Sequence, residues 1–135
     1  MIRVTDGVFI TRVLVRNVEA VLPYLGSDVQ LVNTNCWRAV AFASILALRA
    51  FERKTNHAKT LGGELLLRLA GTLQIKDAIM KVGVKPGENY LVVFGDEADT
   101  KRVLEDLGLE ELPIDECPDE IAKTFFEKSA LVEVL

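Results

Sequence analysis

Two consecutive segments in the middle of the chain are apolar around almost their whole circumference when drawn as helices. The first covers residues 36–54 and the second residues 57–70. A helix that is apolar on all sides is buried on more than one side. We therefore expect these two helices to pack against each other and against a sheet. Any part that stays uncovered would be a protein-binding surface.

Runs rich in β-branched and apolar residues predict the strands of that sheet. They lie at residues 8–15, 28–33, 90–95 and 131–135, and the continuous apolar run at 90–95 is typical of a central strand. Shorter helices are predicted at residues 18–25, 74–82, 96–107 and 118–129. The sequence therefore predicts one α/β (α+β-like) domain over residues 1–135, with a central mixed sheet and helices packed against it.

Short polar residues and glycines predict where several helices begin and end. Thr34 and Asn35 offer cap chemistry for the first long helix, and Asn56 for the second. Asp96 is placed to cap the helix that Gly108 closes. These signals are local in the chain, so they predict boundaries without reference to tertiary contacts.

The cysteines and the N-terminal segment predict the compartment. Cys36 and Cys117 are far apart and belong to no CxxC pair, which is typical of reduced thiols in a cytosolic protein. Residues 1–7 are polar and contain no signal region for export. The longest apolar stretch, residues 40–48, is shorter than the roughly 20 residues of a membrane span. We expect a cytoplasmic protein with no membrane segment.

Charge is segregated along the chain. Residues 38–85 contain nine basic and three acidic residues, a net charge of +6. Residues 86–135 contain four basic and fourteen acidic residues, a net charge of −10. One interpretation is a pair of solvated faces. The other is a protein that binds a polyanion on one side and a basic partner on the other.

No catalytic or metal-binding constellation stands out. His57 is the only histidine, and no cysteine or carboxylate lies at ligand spacing from it. The motifs of nucleophile elbows, P-loops and dinucleotide folds are absent. We therefore expect a protein that is not an enzyme and that needs no cofactor or metal. An enzyme that acts on a small metabolite through the acidic last third is the alternative.

The segment from Arg49 to Val84 carries a family resemblance. An alanine-rich helix precedes a second helix with Glu64-Leu65-Leu66, the turn Gly71-Thr72-Leu73-Gln74-Ile75 follows, and a short helix with Ala78-Ile79 leads to Gly83-Val84. In this order the segment resembles the small kinase-associated subunit of the KEOPS complex, the PRPK-binding-protein-like family.

The resemblance implies a non-catalytic subunit of the machinery that forms threonylcarbamoyladenosine at position 37 of tRNA. It also implies two partners, the atypical kinase/ATPase subunit and tRNA, whose single-stranded CCA 3′ end the subunit binds to recruit the substrate. Proteins read RNA bases in single-stranded ends because those bases are unstacked. The basic middle segment suits the RNA, and the apolar helix pair suits the kinase.

Two sets of contact residues follow as expectations. The RNA-binding set is Lys59, Gly63, Arg68, Gly71, Thr72, Gln74 and Lys76. Its cations would neutralise phosphates, and its glycines and polar side chains would allow close approach and hydrogen bonding. The partner-binding set, on the helical surface facing the kinase, is Val40, Ser44, Leu61 and Leu65.

A purely protein-binding adaptor of the kinase, with no RNA contact, remains the alternative within the family. Leu73 stands where members of the family often carry a basic residue, which favours this alternative. The last residues, 131–135, would either reach the kinase or form an edge strand.

Overall fold

The computed structural model describes all residues from 1 to 135. The strands are β1 (Ile2–Thr5), β2 (Val8–Val15), β3 (Val29–Val32), β4 (Gly87–Val93) and β5 (Glu110–Leu112). The helices are α1 (Val18–Val21), α2 (Trp37–Arg53), α3 (Leu61–Ala70), α4 (Ile75–Val82), α5 (Glu97–Leu107) and α6 (Asp119–Leu131). Short 3₁₀ turns follow α1 at Leu22–Tyr24 and α6 at Val132–Val134.

The five strands form one sheet in the order β1-β2-β4-β3, and β5 pairs with the C-terminal half of β2. The α/β fold with a single domain is confirmed, and β4 is central as its apolar run predicted. Every strand pair is antiparallel, so the predicted mixed sheet is wrong. The reason is topological: β2 and β3 point the same way, but β4 lies between them and pairs with both.

Both faces of the sheet carry buried side chains, which come from alternating residues of its strands. On one face Ile10 and Val92 join the larger core cluster with α2 and α3. On the other face Val13 and Leu91 join a smaller cluster with Leu104 of α5. Because side chains alternate across a strand, one antiparallel sheet can be covered by helices on each side.

The two long apolar helices pack against each other and against the sheet, as predicted. Small residues on α2, among them Ala43 and Ala47, are fully buried and let α3 approach closely. Helix α6 covers the remaining side, where the rings of Phe42 and Phe126 have their centroids 4.8 Å apart. The packing of α6 against the α2–α3 pair explains how so much apolar helix surface is buried in a small domain.

Some predicted boundaries are wrong. Helix α3 begins at Leu61 rather than near residue 57, because Thr60 is its N-cap and its hydroxyl accepts from the N–H of Gly63 at 3.0 Å. Helix α2 has no side-chain cap from Thr34 or Asn35. Strand β1 was not predicted, and residues 131–135 end α6 and form a 3₁₀ turn instead of a strand.

The prediction of two reduced thiols is also wrong. Cys36 and Cys117 form a disulfide, with Cα atoms 5.2 Å apart across a sequence separation of 81 residues. Both cysteines are buried, one before α2 and one before α6. Sequence spacing does not report this proximity, because the packing of α6 on α2 creates it. None of the helices combines the length and the apolar character that crossing a lipid bilayer requires.

Candidate functional site

Arg68 lies inside the protein and not on a basic surface. Its side chain is fully buried, its Nε donates to Glu64 Oε2 at 2.9 Å, and its Nη1 donates to Glu133 Oε1. Glu64 Oε1 in turn accepts the backbone N–H groups of His57 and Ala58 at 2.7 and 2.8 Å. The predicted phosphate contact of Arg68 is therefore wrong, since buried charges need such partners.

This buried network has a positional role. The pair Glu64 and Arg68 follows the i, i+4 spacing of one helix face and faces inward on α3. Through Glu64 it fixes the segment before α3, which carries Lys59. Through Glu133 it fixes the C-terminal turn against α3. Two segments distant in sequence are thereby held to one helix.

The predicted glycines serve contacts within the chain. Gly71 closes α3 with a φ of +72°, and a Cβ there would lie 3.0 Å from Cβ of Lys128 on α6. The expectation that Gly71 leaves room for a ligand is wrong, because α6 occupies that room. Gly63 is half-buried, and a Cβ there would meet Thr60 Oγ1 at 3.0 Å. Gly63 does, however, line a groove described below.

The remaining members of the RNA-binding set reach solvent. Lys59, Gln74 and Lys76 are exposed and Thr72 is half-exposed. Neither lysine forms a salt bridge. The Thr72 hydroxyl accepts the N–H of Gln74 at 3.1 Å, which shapes the turn between α3 and α4. These side chains are therefore free to contact an external polyanion.

Most of the partner-binding set is buried. Val40, Ser44 and Leu65 have no exposed surface, and the Ser44 hydroxyl donates to the Ala41 carbonyl at 2.8 Å. Leu61 is half-buried. The prediction of a partner surface at Val40, Ser44 and Leu65 is wrong, because they lie where α2, α3 and the sheet pack together.

Exposed apolar side chains instead gather around α4. Ile79 is 53% exposed, Met80 75% and Leu22 50%, which are large fractions for such residues. An open groove of about 300 Å³ runs beside them, and we call it the apolar groove. Its lining residues are Leu22, Leu25, Gly26, Gln30, Thr60, Gly63, Leu66, Ile75, Ile79, Gly83 and Val84. Apolar patches of this kind mark protein–protein surfaces.

A larger cleft, of about 570 Å³, lies on the other side of α4, and we call it the polar cavity. It is lined by residues 33–35, 69–70, 81–82 and 88–90, together with Arg12, Asp115, Phe125 and Lys128. Its walls thus come from the sheet, from the ends of α3 and α4, and from α6. Its volume lies in the range of small-molecule and nucleotide sites.

The charges in the polar cavity divide into paired and unpaired groups. Arg12 binds the carboxylates of Glu88 and Asp115 and donates to the Pro113 carbonyl at 2.9 Å. Lys81 and Lys128 form no salt bridge. Both carboxylates pair with one arginine, and the two ammonium groups bring the net charge of the cavity lining to +1.

Polar and aromatic groups complete the cavity wall. Burial raises the pKa of the Tyr90 phenol above its ordinary value, and the positive charge of Arg12 opposes that shift. The phenol is therefore neutral at physiological pH and able to donate a hydrogen bond. The buried hydroxyl oxygen of Thr34 has no partner. The Lys128 ammonium lies 5.4 Å from the centre of the Phe125 ring, within cation–π range.

Helix α4 separates the two depressions. Ile75 and Ile79, one turn apart, line the apolar groove, whereas Lys81 and Val82 line the polar cavity. Lys76 stands exposed near the start of the helix. A single eight-residue helix thus presents an apolar side and a basic side within one turn of each other.

Sequence reasoning missed the cavity residues and the isoleucine pair. The isoleucines did leave a signal: Ile75 and Ile79 form a second apolar i, i+4 stripe beside the buried stripe of Ala78 and Val82. A short helix with two apolar stripes has one more than its own core contact needs. The cavity left no comparable signal, because its walls come from many segments that are distant in sequence.

Comparison with known proteins adds one relative. No protein-family model matches the chain. The chain is 41% identical over 122 residues to a protein of Pyrococcus abyssi (strain GE5 / Orsay) named KEOPS complex subunit Cgi121. The match covers 88% of this chain and 71% of that protein.

Proposed function

The chain belongs to the family of the KEOPS complex subunit Cgi121, and from this premise we propose that it is a non-catalytic KEOPS subunit that binds the kinase/ATPase subunit and recruits tRNA through its CCA 3′ end. In this proposal it acts in the cytoplasm, within the complex that modifies tRNA. The observation that carries the two-partner role is the division of surfaces at α4, with an apolar groove on one side and a basic cavity on the other.

The polar cavity suits the terminal nucleotides of a single strand. Lys81 and Lys128 would neutralise phosphates, since neither is engaged by a carboxylate. The amide of Asn35 and the Phe125 ring line the same space, and RNA bases are recognised by such polar and aromatic groups. A single-stranded end can enter a cleft that a duplex cannot.

The exposed residues around the turn extend this surface. Ala70 at the end of α3 lines the cavity, and the turn with Thr72 and Gln74 leads from there to Lys76 on α4. We propose that the single-stranded RNA leaves the cavity along this turn. Lys59 adjoins Thr60, which lines the apolar groove and not the polar cavity, so Lys59 lies outside this path. Arg68 and Gly71 have no part in this site.

The apolar groove suits the kinase. Its exposed isoleucines form a continuous surface with Leu22, and helix–helix docking onto such a surface buries apolar area from water. Leu61 is the one member of the earlier partner-binding set that keeps exposed surface, and it neighbours Thr60 in this groove. We propose that the kinase covers this face.

A catalytic role for the acidic residues has little support in the cavity. A catalytic acid–base pair is recognised by two titratable groups whose environments push their pKa values apart. Glu88 and Asp115 are both ion-paired with the same arginine. We therefore propose that the cavity binds its ligand without reacting with it.

The test is a titration of the protein with one tRNA, intact and with the CCA end removed. We expect removal of CCA to weaken binding by about tenfold or more, since base contacts contribute about 1–3 kcal/mol each. The double variant Lys81→Ala/Lys128→Ala should bind intact tRNA more weakly than the wild type, by about the same factor as removal of CCA. Its salt dependence should flatten by up to about 1.4 units of slope, because each single-strand phosphate contributes about 0.7.

The matched control is Lys101→Ala/Lys123→Ala, which removes two exposed lysines outside the cavity. It should leave the preference for CCA unchanged. Equal binding of intact and trimmed tRNA, or no binding of either, would favour the adaptor that contacts only the kinase.

A further inference from the structure

We propose that the disulfide between Cys36 and Cys117 clamps two walls of the polar cavity, so that a dithiol reductant loosens the cavity and weakens ligand binding there. The binding consequence rests on the function proposed above. The clamp itself is a statement about the fold and is tested independently.

The two half-cystines stand next to two different segments that line the cavity. Thr34 and Asn35 line one wall and directly precede Cys36. Asp115 lines the other wall, two residues before Cys117. The helix that follows Cys117, α6, contributes Phe125 and Lys128 to the same wall. One covalent bond therefore joins the two segments.

Besides the disulfide, the packing of Ile114 on the main core and a few side-chain hydrogen bonds hold the segment before α6. Residues 113–118 belong to no helix or strand. They are fixed by Arg12, which binds Pro113 and Asp115, and by Arg38, which donates to the Cys117 carbonyl at 2.7 Å. Arg38 also pairs with Asp119, whose side chain is 94% exposed, and exposed ion pairs contribute little.

The segment before α2 depends on the disulfide as well. The backbone N–H of Asn33 donates to the Val82 carbonyl and its side chain donates to the Glu88 carbonyl, both at 2.8 Å. Beyond Asn33, the buried Thr34 hydroxyl has no partner and Cys36 caps α2 without a side-chain hydrogen bond. Cys36 itself is held by the disulfide, by core packing and by its carbonyl, which accepts the Val40 N–H at 3.3 Å, whereas Thr34 and Asn35 form no hydrogen bond of their own.

The redox step is ordinary thiol–disulfide exchange. A thiolate of a small dithiol attacks the sulfur of Cys117, the more exposed of the two, and the Cys36 thiolate leaves and takes up a proton. The second thiol of the reagent then displaces the Cys117 thiolate from the mixed disulfide. The protein gains two electrons and two protons, and the reagent becomes a cyclic disulfide.

The structural arm of the experiment is amide hydrogen exchange on the full chain. It compares the oxidised protein, the dithiol-reduced protein and the double variant Cys36→Ser/Cys117→Ser. We expect exchange of the hydrogen-bonded amides beside the two segments, those of Asn33, Val40 and Ala122, to rise at least about tenfold in the reduced and variant forms, with β2 and β4 unchanged. Thiol labelling in denaturant confirms the redox state of each sample.

The binding arm uses a short single-stranded RNA that ends in CCA. Reduction should raise its Kd by about tenfold, because a loosened site loses preorganisation, and should have no further effect on Lys81→Ala/Lys128→Ala. If the oxidised protein binds no RNA, the proposed function fails while the exchange data still decide the clamp. Unchanged exchange in both cavity walls after reduction would overturn the clamp. Raised exchange with an unchanged Kd would overturn its control of binding.

Discussion

Helices α3 and α4 are neighbours in the chain and combine the same residue types, long aliphatic side chains with a few cations and an acid. Their environments are nearly opposite. Eight of the ten residues of α3 are buried, and even its arginine lies inside the protein. Only Ala78 and Val82 of α4 are buried, and its isoleucines and lysines face solvent.

The difference comes from what surrounds each helix. Helix α3 is covered by α2 on one side and α6 on another, and the C-terminal turn supplies Glu133 to its arginine. Among the helices, α4 packs extensively only on α3. Residue type therefore does not decide which of two similar helices forms a binding surface. The number of elements that pack around each helix decides it. Helix α3 is the buried support against which the exposed helix α4 packs.

Removal of Arg68 should give the largest difference between the two helices. The variant Arg68→Ala leaves Glu64 as a buried carboxylate without its cation, and breaking such a pair costs about 3–5 kcal/mol. The same change on α4, Lys76→Ala, removes an exposed cation and should change stability by less than about 0.5 kcal/mol. Urea unfolding followed by circular dichroism measures both. Similar stabilities of the two variants would refute the role of α3 as the buried support.

Close packing at the start of α3 should give the next largest effect. A Cβ on Gly62 would lie 2.5 Å from the Gly26 carbonyl oxygen, which also accepts the Gly62 N–H at 2.9 Å. Gly62→Ala should therefore destabilise the protein by about 1–3 kcal/mol through overpacking. Met80→Ala on α4 truncates a side chain that is 75% exposed and should be close to neutral. A Gly62→Ala protein as stable as the wild type would show that the approach to Gly26 is looser than described.

Local signals in the sequence predicted several elements well. Asp96 caps α5 and Gly108 ends it in a left-handed conformation, as the sequence indicated, and Asp99 completes a capping box that was not predicted. Strand β2 has the predicted bounds because its pattern is also local. Such features depend on residues within a few positions of each other.

The side chains that sequence reasoning placed in the wrong environment depend on distant partners. Arg68 meets Glu133 across 65 residues, and Cys36 meets Cys117 across 81. An arginine in a basic stretch has the same sequence pattern whether it is buried or exposed, and no pattern near Arg68 indicates Glu133. The polar cavity is the extreme case, because its two walls meet only after α6 has packed.

Mutations at the N-terminal caps of α5 and α4 should change the stability of the protein least. For α5 this change should depend on pH. The backbone N–H of Asp96 donates to Asp99 at 3.0 Å, and this hydrogen bond lowers the pKa of the Asp99 carboxyl below its ordinary value. A lowered folded-state pKa contributes stability above the unfolded-state pKa, and that contribution is lost as the pH falls through the folded-state value.

The variant Asp99→Asn should therefore be less stable than the wild type at pH 7 and should approach it in acid, below about pH 4. Gln74→Ala at the cap of α4, which makes no side-chain hydrogen bond, should show no such convergence. Urea midpoints at pH 7 and pH 3 measure both. A gap for Asp99→Asn that stays constant with pH would contradict the capping role of its charge.

The central claim is that α4 divides one surface for RNA from another for the kinase. The most direct test measures tRNA binding and binding to the kinase subunit for two variants, Ile79→Glu in the apolar groove and Lys81→Ala/Lys128→Ala in the polar cavity. Ala98→Glu, at an exposed position on α5, is the matched control for the added charge. We predict that Ile79→Glu abolishes binding to the kinase subunit and keeps the preference for tRNA with an intact CCA end. The lysine double variant should lose that preference and keep its binding to the kinase subunit. Loss of both activities in either variant, or of neither in both, would contradict the division.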